Sequence, residues 1–587
     1  MKLAKMGTAA VALACAAGGC GSRSGYWNQP VAASSYGLAN GVALVDGTAN
    51  RVVILSANPD QTLSEHAVTI GHNVTTVATS VDGYKLYVMS SGDWPPQSAS
   101  DQLPELTVID VSTRGSPRPT TYPMQQPLSN LVIDPLGQWA VAYAGSASTS
   151  FIENPNEIVL LNPNLPYTPP APTSDCADGG AAPVGDGGAT LPNPVTLDIQ
   201  SFGGTPQQLS FTPPLFLPNG TDANGDVVGA TTRLLLIEST VDLTMLDMTY
   251  AFLPQCLRHP EITVQLTDGT STQQEVPAGV AVDDGDPSDP TDARIALWTS
   301  TDSNVFIFKL IAASPGPNLN LFTPSINSAP VGQVPSAVTF VHTSPLPAND
   351  YGLQVLALVP ALSSAVFIDD SDETTRVALP AAYSQLSLVT SVVNAGSTAT
   401  TGPDVALLWQ QGTSATESGA GVAFWGLANT SAEGIDVVSV TQPIQSVLDV
   451  GGATSQNPQL KVLQLVDDDV YVLDLTARTA SPLSTSQAPS LAISADGTRM
   501  WAFEQGGTNL AEIQLPSLSL VPGLTTSLPI GSVYDVTMAS ADAGTGAPSA
   551  LIATHTGGGW GATVFSAADP STASARNATS LLVEPTP

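Results

Sequence analysis

Three oxygen-bearing side chains, Asp222, Asn224 and Asp226, occupy alternate positions in one short segment. A calcium-binding loop begins in this way, because carboxylate and amide oxygens are the ligands that Ca²⁺ prefers. An EF-hand loop continues with glycine at its sixth position and glutamate at its twelfth, where this chain has Val227 and Arg233. The segment therefore indicates calcium as a candidate cofactor, and the alternative interpretation is a polar turn ahead of the next strand.

Two other acidic runs are interpreted as loops. Five aspartates fall between positions 283 and 292, where mutual repulsion favours either a bound cation or exposure to water. Pro287 and Pro290 in the same run favour an exposed loop. The run Asp467-Asp468-Asp469 lies between two apolar stretches, a position that predicts a hairpin turn.

Motifs for nucleophilic or metal-dependent catalysis do not occur in the sequence. The GxSxG, HExxH and P-loop patterns are all missing. The five histidines stand apart from one another, at positions 66, 72, 259, 342 and 555. The sequence therefore favours a protein that binds without catalysing over an enzyme.

Tryptophans are the aromatic side chains considered as binding anchors, because buried contacts at interfaces often centre on them. Trp94 and Trp560 lie among glycine, aspartate and proline residues, which predicts that they sit in loops on the surface. Five others lie in apolar strand patterns that predict core positions: Trp139, Trp298, Trp409, Trp425 and Trp501.

Net charge excludes one large class of partner. The chain has 16 basic and 50 acidic residues, a net charge of −34 at pH 7. Phosphate backbones are repelled by such a surface, so nucleic-acid binding is excluded. An acidic surface suits solubility, divalent cations or cationic partners.

The first twenty residues have the layout of an export signal. Lys2 and Lys5 precede an apolar stretch at positions 6–17, and Gly18 and Gly19 follow it. A membrane-spanning helix needs about 20 apolar residues, so this shorter stretch is interpreted as a signal peptide. An exported chain passes into an oxidising compartment, where Cys176 and Cys256 are candidates for a disulfide.

Cys20, directly after these glycines, gives the signal a resemblance to the lipobox of bacterial lipoproteins. The resemblance departs from the family at Ala17, where leucine is preferred. It implies that the Cys20 thiol carries fatty acyl chains such as palmitate, which hold the protein stably on a membrane. Gly21, in place of the aspartate that retains some lipoproteins at the inner membrane, implies the outer membrane. Cys15 is the competing acceptor, and ordinary cleavage near it would release a soluble protein.

Internal repetition is the strongest fold signal in the mature chain. The stretch 80–88, with Asp82-Gly83 at its centre, is followed by the strand pattern 106–110. It returns at 494–502 around Asp496-Gly497, and more weakly at 133–141. Each copy places an apolar strand, a tight turn and a second strand in order, because glycine supplies the positive φ that a hairpin needs. Forty-nine prolines and fifty glycines argue against helices.

These repeats resemble the YVTN-type, WD40-like β-propellers. The resemblance implies an all-β propeller of four-stranded antiparallel blades, and the sequence pattern gives 7 to 10 units. The expected plan is a signal peptide at 1–19, the lipidated Cys20 with a tether to residue 34, a propeller body at 35–583 and a loose tail at 584–587. Residues 164–194, rich in glycine, proline and aspartate, are expected to form a loop insertion, and a last strand is expected at 580–583. Ring closure is expected to pair strands of the amino terminus with those around 550–565.

These features together predict an envelope lipoprotein that presents a propeller to a protein or glycan partner, and its signal favours the outer membrane. Some relatives of the YVTN type are hydrolases, so a lactonase or other hydrolase that uses calcium is the first alternative. An accessory for outer-membrane assembly is the second alternative, by analogy with other lipoprotein propellers.

Overall fold

Alternating apolar and polar residues, punctuated by glycine and proline, direct the chain into short antiparallel strands. A computed structural model describes residues 34–578 with internal gaps, the longest of which are 170–191, 249–260 and 540–549. Within the described residues, nine antiparallel sheets have four strands each and a tenth has five. The sheets are the blades of a β-propeller, which confirms the predicted fold class.

Blades 1 to 3 are simple meanders in which each strand pairs with the next along the chain. Their strands are β1 (Ser34–Leu38), β2 (Gly41–Asp46), β3 (Arg51–Ala57), β4 (Leu63–Thr69), β5 (Val74–Thr79), β6 (Lys85–Ser90), β7 (Glu105–Asp110), β8 (Arg118–Pro123), β9 (Asn130–Ile133), β10 (Ala140–Tyr143), β11 (Glu157–Leu161) and β12 (Val195–Asp198).

Blades 4 to 7 follow the same order, but blades 4 and 7 each carry an extra hairpin between their first two strands, β14–β15 and β28–β29. The strands are β13 (Pro206–Phe211), β14 (Leu215–Thr221), β15 (Val227–Thr232), β16 (Leu234–Ser239), β17 (Asp242–Asp247), β18 (Glu261–Gln265), β19 (Pro277–Asp283), β20 (Arg294–Thr299), β21 (Asn304–Ala312), β22 (Phe322–Pro330), β23 (Ala337–His342), β24 (Leu353–Val359), β25 (Ser364–Ile368), β26 (Thr374–Ala378), β27 (Gln385–Val389), β28 (Val392–Ala395), β29 (Thr398–Thr401), β30 (Val405–Trp409), β31 (Gly421–Gly426) and β32 (Ile435–Ser439). A short 3₁₀ turn, Pro360–Leu362, joins β24 to β25.

Blades 8 to 10 complete the described part of the chain, and the short strand β41 adds to blade 9. The strands are β33 (Ile444–Asp449), β34 (Leu460–Leu465), β35 (Val470–Asp474), β36 (Thr479–Pro482), β37 (Ser490–Ile493), β38 (Arg499–Phe503), β39 (Asn509–Gln514), β40 (Ser519–Leu520), β41 (Thr526–Ser527), β42 (Ser532–Ala539), β43 (Ala550–Thr556), β44 (Gly561–Ser566) and β45 (Arg576–Ala578).

The four main strands of a blade are called a to d in chain order. The a strands of neighbouring blades contact one another, as β1 contacts β5 and β19 contacts β23, so they lie next to the propeller axis. Because successive strands are antiparallel, the a–b and c–d connections share one end of the blade, which we call the ab face. The b–c connections and those from d to the next a share the opposite end, the da face.

Apolar side chains are buried between the blades. Along β6, Leu86 and Val88 pack with residues of blade 1, whereas Tyr87 and Met89 pack with residues of blade 3. Alternation along each strand therefore supplies one apolar face to each neighbour. Similar clusters join each successive pair of blades from 3 and 4 to 8 and 9. No blade shields its own faces, which is the physical reason that the blades assemble side by side.

The predicted repeat unit forms the same kind of turn in blades 2, 3 and 9. In each, the residue that begins the turn donates its backbone N–H to a carbonyl five residues later, at 2.9 to 3.0 Å: Ser80 to Lys85, Asp134 to Trp139, and Ser494 to Arg499. Gly83, Gly137 and Gly497 then adopt φ values of 71°, 67° and 66°. The left-handed backbone explains the glycine at this position of the repeat.

Three predictions about the ends and loops have different outcomes. The predicted insertion at 164–194 falls in the c–d connection of blade 3, and it stays a prediction because residues 170–191 lie outside the described part. The Asp467–Asp469 run is confirmed as the b–c turn of blade 8, where Leu465 N–H donates to Asp469 O at 2.9 Å. The strand predicted at 580–583 lies outside the described residues, and β45 (Arg576–Ala578) completes blade 10.

The predicted ring closure by strand pairing is wrong. In the described residues, blade 1 is built only from β1 to β4 and blade 10 only from β42 to β45. Instead, β42 contacts β1 and β2 across the interface between the two blades. In this described part, blades 1 and 10 each have four strands of their own, so the two blades meet by packing and not through a shared sheet.

Candidate functional site

Most of the predicted site residues lie outside the described part of the chain. These are the lipidation candidate Cys20, the disulfide candidates Cys176 and Cys256, the calcium candidates Asp222, Asn224 and Asp226, and the binding candidate Trp560. Lipidation, the disulfide and the calcium site therefore stay predictions. Trp94 is described and lies half-buried in the b–c loop of blade 2, on the da face.

The tryptophans predicted for the core are accounted for by packing between blades. Trp409, Trp425 and Trp501 are buried, and Trp425 meets Phe367 of the preceding blade edge to face, with ring centroids 5.4 Å apart. Trp139 and Trp298 are partly buried against the inter-blade clusters. None of these five is positioned as an exposed anchor.

His72 and Asp93 form a histidine–carboxylate pair on the da face. His72 lies in the connection from blade 1 to blade 2, and its Nδ1 is 3.0 Å from both carboxylate oxygens of Asp93. The backbone N–H of Gln102 donates to Asp93 at 3.0 Å and, together with His72, lowers the pKa of that carboxyl. A carboxylate in this position orients an imidazole for proton transfer. Sequence reasoning treated His72 as isolated because its partner is 21 positions away.

The surroundings of this pair give it a structural role. His72 N–H donates to the Gln102 side chain at 3.0 Å, so the inter-blade connection is tied to the b–c loop of blade 2. The next connection is tied to a b–c loop with the roles exchanged, because the Gln126 side chain in the connection accepts the N–H groups of Glu153 and Asn154 in the b–c loop of blade 3. Hydrogen bonds between a connection and a b–c loop occur at successive blades, which indicates that they hold the inter-blade connections in place.

Charged pairs on the ab face also join neighbouring blades. Asp134, in the a–b turn of blade 3, is buried with Arg233 of blade 4. His342, at the end of the first strand of blade 6, contacts the buried Asp404 of blade 7, with Nδ1 3.2 Å from Oδ2. Within the described ranges, no three His, Cys, Asp or Glu side chains gather closely enough to hold a metal ion. The paired charges that resemble catalytic groups thus connect blades.

Buried carboxylates form a second set of unusual groups. Glu238 is 2% exposed near the end of β16, and its Oε1 has no hydrogen-bond partner among the residues that the structure describes. Burial raises its pKa to about 7. Burial also raises the pKa of Glu157 and Glu512, the latter despite the nearby Arg499. All three carboxylates lie on strands, Glu238 in β16, Glu157 in β11 and Glu512 in β39, and not in the loops of either face.

Exposed apolar side chains are concentrated on the ab face of blades 2 and 3. Two belong to the a–b turn of blade 2, one to that of blade 3 and two to the c–d loop of blade 3, with exposed fractions of 78%, 41%, 60%, 52% and 40%: Val81, Tyr84, Leu136, Leu165 and Tyr167. We call these five residues the apolar platform. Sequence reasoning missed it, because each residue is unremarkable alone and the fold brings the three loops together.

Comparisons with known proteins give distant structural similarities. No model of a known protein family and no curated protein sequence matches the chain. Among solved structures, dihydro-heme d1 dehydrogenase NirN in complex with DHE is 11% identical with a TM-score of 0.37, covering 86% of this chain and 80% of that one. Sqt1 from Saccharomyces cerevisiae is 13% identical with a TM-score of 0.37, covering 71% and 90%. Such values carry no argument about function. No helix in the described residues is long and apolar enough to cross a bilayer.

Proposed function

We propose that this chain is an envelope-anchored lipoprotein whose propeller is a non-enzymatic binding module for a partner protein. The observation that carries the proposal is that charged and apolar side chains occupy different kinds of position. Charged groups such as Asp134 and Arg233 join blades, whereas large apolar side chains such as Leu165 and Tyr167 face solvent in the c–d loop of blade 3. Exposed apolar patches of this kind mark interaction surfaces.

The predicted anchor fits a module of this kind. Thirteen residues separate Cys20 from Ser34, where β1 begins. Because a strands begin at the da face, an acylated Cys20 would tether the propeller by that face. A chain of this length reaches at most about 45 Å when fully extended. The ab face, with the apolar platform, would then point away from the membrane and be open to partners.

The anchor is tested by metabolic labelling with an alkyne fatty acid. We expect label on the wild-type protein and on Cys15→Ala, and its loss from Cys20→Ala. Label that survives in Cys20→Ala, or that disappears in Cys15→Ala, would contradict acylation at Cys20.

The binding role is tested by photo-crosslinking in intact envelopes. A benzophenone amino acid replaces Tyr167 on the ab face, Phe202 on the da face or Val437 on an outer strand, three positions that are at least 40% exposed. We expect one discrete adduct from at least one face, whose protein, once identified and purified, binds the isolated full-length chain. No adduct from any position, together with turnover of a panel of lactones and esters, would replace this proposal with the hydrolase.

A further inference from the structure

The strands next to the propeller axis are open to solvent, unlike the strands behind them. Every side chain of the a strands β5, β9 and β27 is at least partly exposed, whereas every residue of β10 and β11, the b and c strands of blade 3, is buried. Water therefore reaches the axis. Because a strands begin at the da face, their first three residues surround the opening of the axis on that face, which we call the da mouth.

The da mouth is polar and uncharged. None of the first three residues of any described a strand is Asp, Glu, Lys, Arg or His. In blades 2, 4, 5, 8 and 10 the second residue is an extra one that lies opposite no residue of the b strand: Thr75, Gln207, Ala278, Gln445 and Tyr534. A β-bulge of this kind bends its strand and redirects a side chain. Thr75, Gln208 and Gln445 are exposed there.

Four glutamines lie together where blades 7 and 8 meet at this mouth, and we call them the amide cluster: Gln385, Gln411, Gln445 and Gln464. Gln385 Nε2 donates to Gln411 Oε1 at 3.1 Å, and Gln411 Nε2 donates to the backbone carbonyl of Gln445 at 3.2 Å. The Ser446 hydroxyl donates to Gln464 Oε1 at 2.6 Å. The Gln445 side-chain amide, Gln385 Oε1 and Gln464 Nε2 take no part in these bonds, which leaves both donors and acceptors for a ligand.

The charges on the da face disfavour an anionic ligand. Among the described side chains, the arginines that reach this face are Arg51, in an ion pair with Asp46 at 3.5 Å, and Arg376, which donates to Val331 O at 3.3 Å. The Asp467–Asp469 turn of blade 8 lies near the amide cluster on the same face. Phosphate, sulfate or uronate groups would be repelled there.

We propose that the da mouth binds an uncharged polysaccharide, whose hydroxyl groups form hydrogen bonds with the amide cluster. A sugar hydroxyl both donates and accepts, so the carbonyl oxygen and the NH₂ group of one side-chain amide can each engage a hydroxyl. A protein segment is less suitable, because its apolar anchor residues would cover the amides and leave them without hydrogen-bond partners.

This is a second binding function, separate from the partner protein proposed above. The proposed tether between Cys20 and Ser34 begins at the same face. Because it reaches up to about 45 Å when fully extended, it leaves a gap at the membrane that a polysaccharide strand can enter.

The test is affinity electrophoresis of the purified full-length protein in native gels that contain a polysaccharide. The uncharged probes are laminarin, dextran, amylopectin and galactomannan, and the charged probes are alginate and chitosan. We expect at least one uncharged probe to retard the wild type, with an affinity in isothermal titration that does not change with salt, because no ion pair forms. Retardation by none of the uncharged probes, or by charged probes alone, would overturn the inference.

Variants assign the binding to the amide cluster. The double variant Gln385→Ala, Gln445→Ala removes one partly exposed and one exposed amide, so we expect affinity to fall by about tenfold. The matched control is Gln456→Ala, Gln459→Ala, an exposed and a partly exposed glutamine in the a–b connection of the same blade 8, and it should bind as the wild type does.

A single variant keeps the test valid if the double variant does not fold. The Gln445 amide takes no part in the bonds of the cluster, so Gln445→Ala should fold normally by near-ultraviolet circular dichroism and lose about threefold in affinity. Wild-type affinity in a folded double or single variant would overturn the inference.

Crosslinking distinguishes a polysaccharide from a protein at this mouth. A benzophenone amino acid replaces Gln445 in intact envelopes, and mass spectrometry of the crosslinked tryptic fragment should find sugar residues attached at position 445. A second polypeptide attached there would overturn the inference in favour of a protein ligand.

Discussion

Gly37 of the first a strand lies directly against Thr537 of the last one. A Cβ placed on Gly37 would come within 3.0 Å of Thr537 Cγ2 and 3.3 Å of its Oγ1. These residues are on β1 and β42, the strands through which blades 1 and 10 meet. Because no strand pairs across this junction in the described residues, the close approach that glycine permits is part of what closes the ring.

Adding a side chain at this junction should open it. We expect Gly37→Val to destabilise the protein by about 1–3 kcal/mol, the usual effect of overpacking a close contact. Thr537→Ala removes the atoms that Gly37→Val would meet, so the double variant should recover part of the loss. Urea denaturation of the four proteins gives the coupling energy. Additive effects would mean that the two strands do not touch in solution.

The buried Asp134–Arg233 pair should matter more than an exposed pair. Asp134 has no exposed side-chain surface and Arg233 retains 9%, so removing either partner leaves a buried charge without its counterion. We expect Asp134→Ala or Arg233→Ala to cost about 3–5 kcal/mol. The control is Arg478→Ala, because the Arg478–Asp436 pair is 40% and 57% exposed and should contribute less than about 1 kcal/mol. Equal losses at the two sites, measured by chemical denaturation, would contradict the structural role.

Substitutions at two glycines of the repeated turn distinguish the cost of a left-handed backbone from the cost of steric crowding. Both have positive φ, but a Cβ at Gly137 would meet nothing within 4 Å, whereas one at Gly83 would lie 2.8 Å from the Ala39 backbone nitrogen in blade 1. We expect Gly137→Ala to cost about 1–2 kcal/mol from the left-handed backbone alone. Gly83→Ala should cost more, because the blade interface must also shift. A smaller loss at Gly83, measured by thermal unfolding, would contradict this contact between blades.

Glu238 should make the protein more stable in mild acid. Its pKa is raised by burial from 4.5 to about 7 in the folded protein, so between those values the folded state binds more protons than the unfolded state. Stability from this group is therefore complete below about pH 4.5 and is lost as the pH rises through 7. At one pKa unit per 1.36 kcal/mol, the total is about 3 kcal/mol. Burial raises the pKa of the nearby Tyr143, and the negative charge of Glu238 adds to that increase.

The variant Glu238→Gln isolates this effect. We expect it to unfold at higher urea than the wild type at pH 8, and the difference to shrink towards pH 4.5. Glu157 and Glu512, whose pKa burial also raises, remain in both proteins, so the difference reports on Glu238. Glu373→Gln, in an exposed turn of blade 6, is the control. A pH-independent difference would show that Glu238 is ionised in both states.

The repeat units were predictable because their signals are local. An Asp-Gly pair with a strand on each side specifies its hairpin within about ten residues, since only the backbone of the turn must accept positive φ. Lys85–Ser90 and Arg499–Phe503 therefore became strands where the pattern placed them. Strand alternation likewise predicted that Trp425 and Trp501 belong to the core, where they are buried.

By itself, then, the sequence determined the strands, their turns and the acidic character of the surface, because each follows from neighbouring residues or from composition. Only the tertiary structure decided which groups meet. Asp134 and Arg233 are 99 positions apart, and Gly37 meets Thr537 from the opposite end of the chain. Leu165 became part of an exposed surface because the neighbouring Asn164 is hydrogen-bonded to Lys85 and Gly137, beside the turns of two blades. Such contacts depend on how blades stack around the axis, and no local pattern records that arrangement.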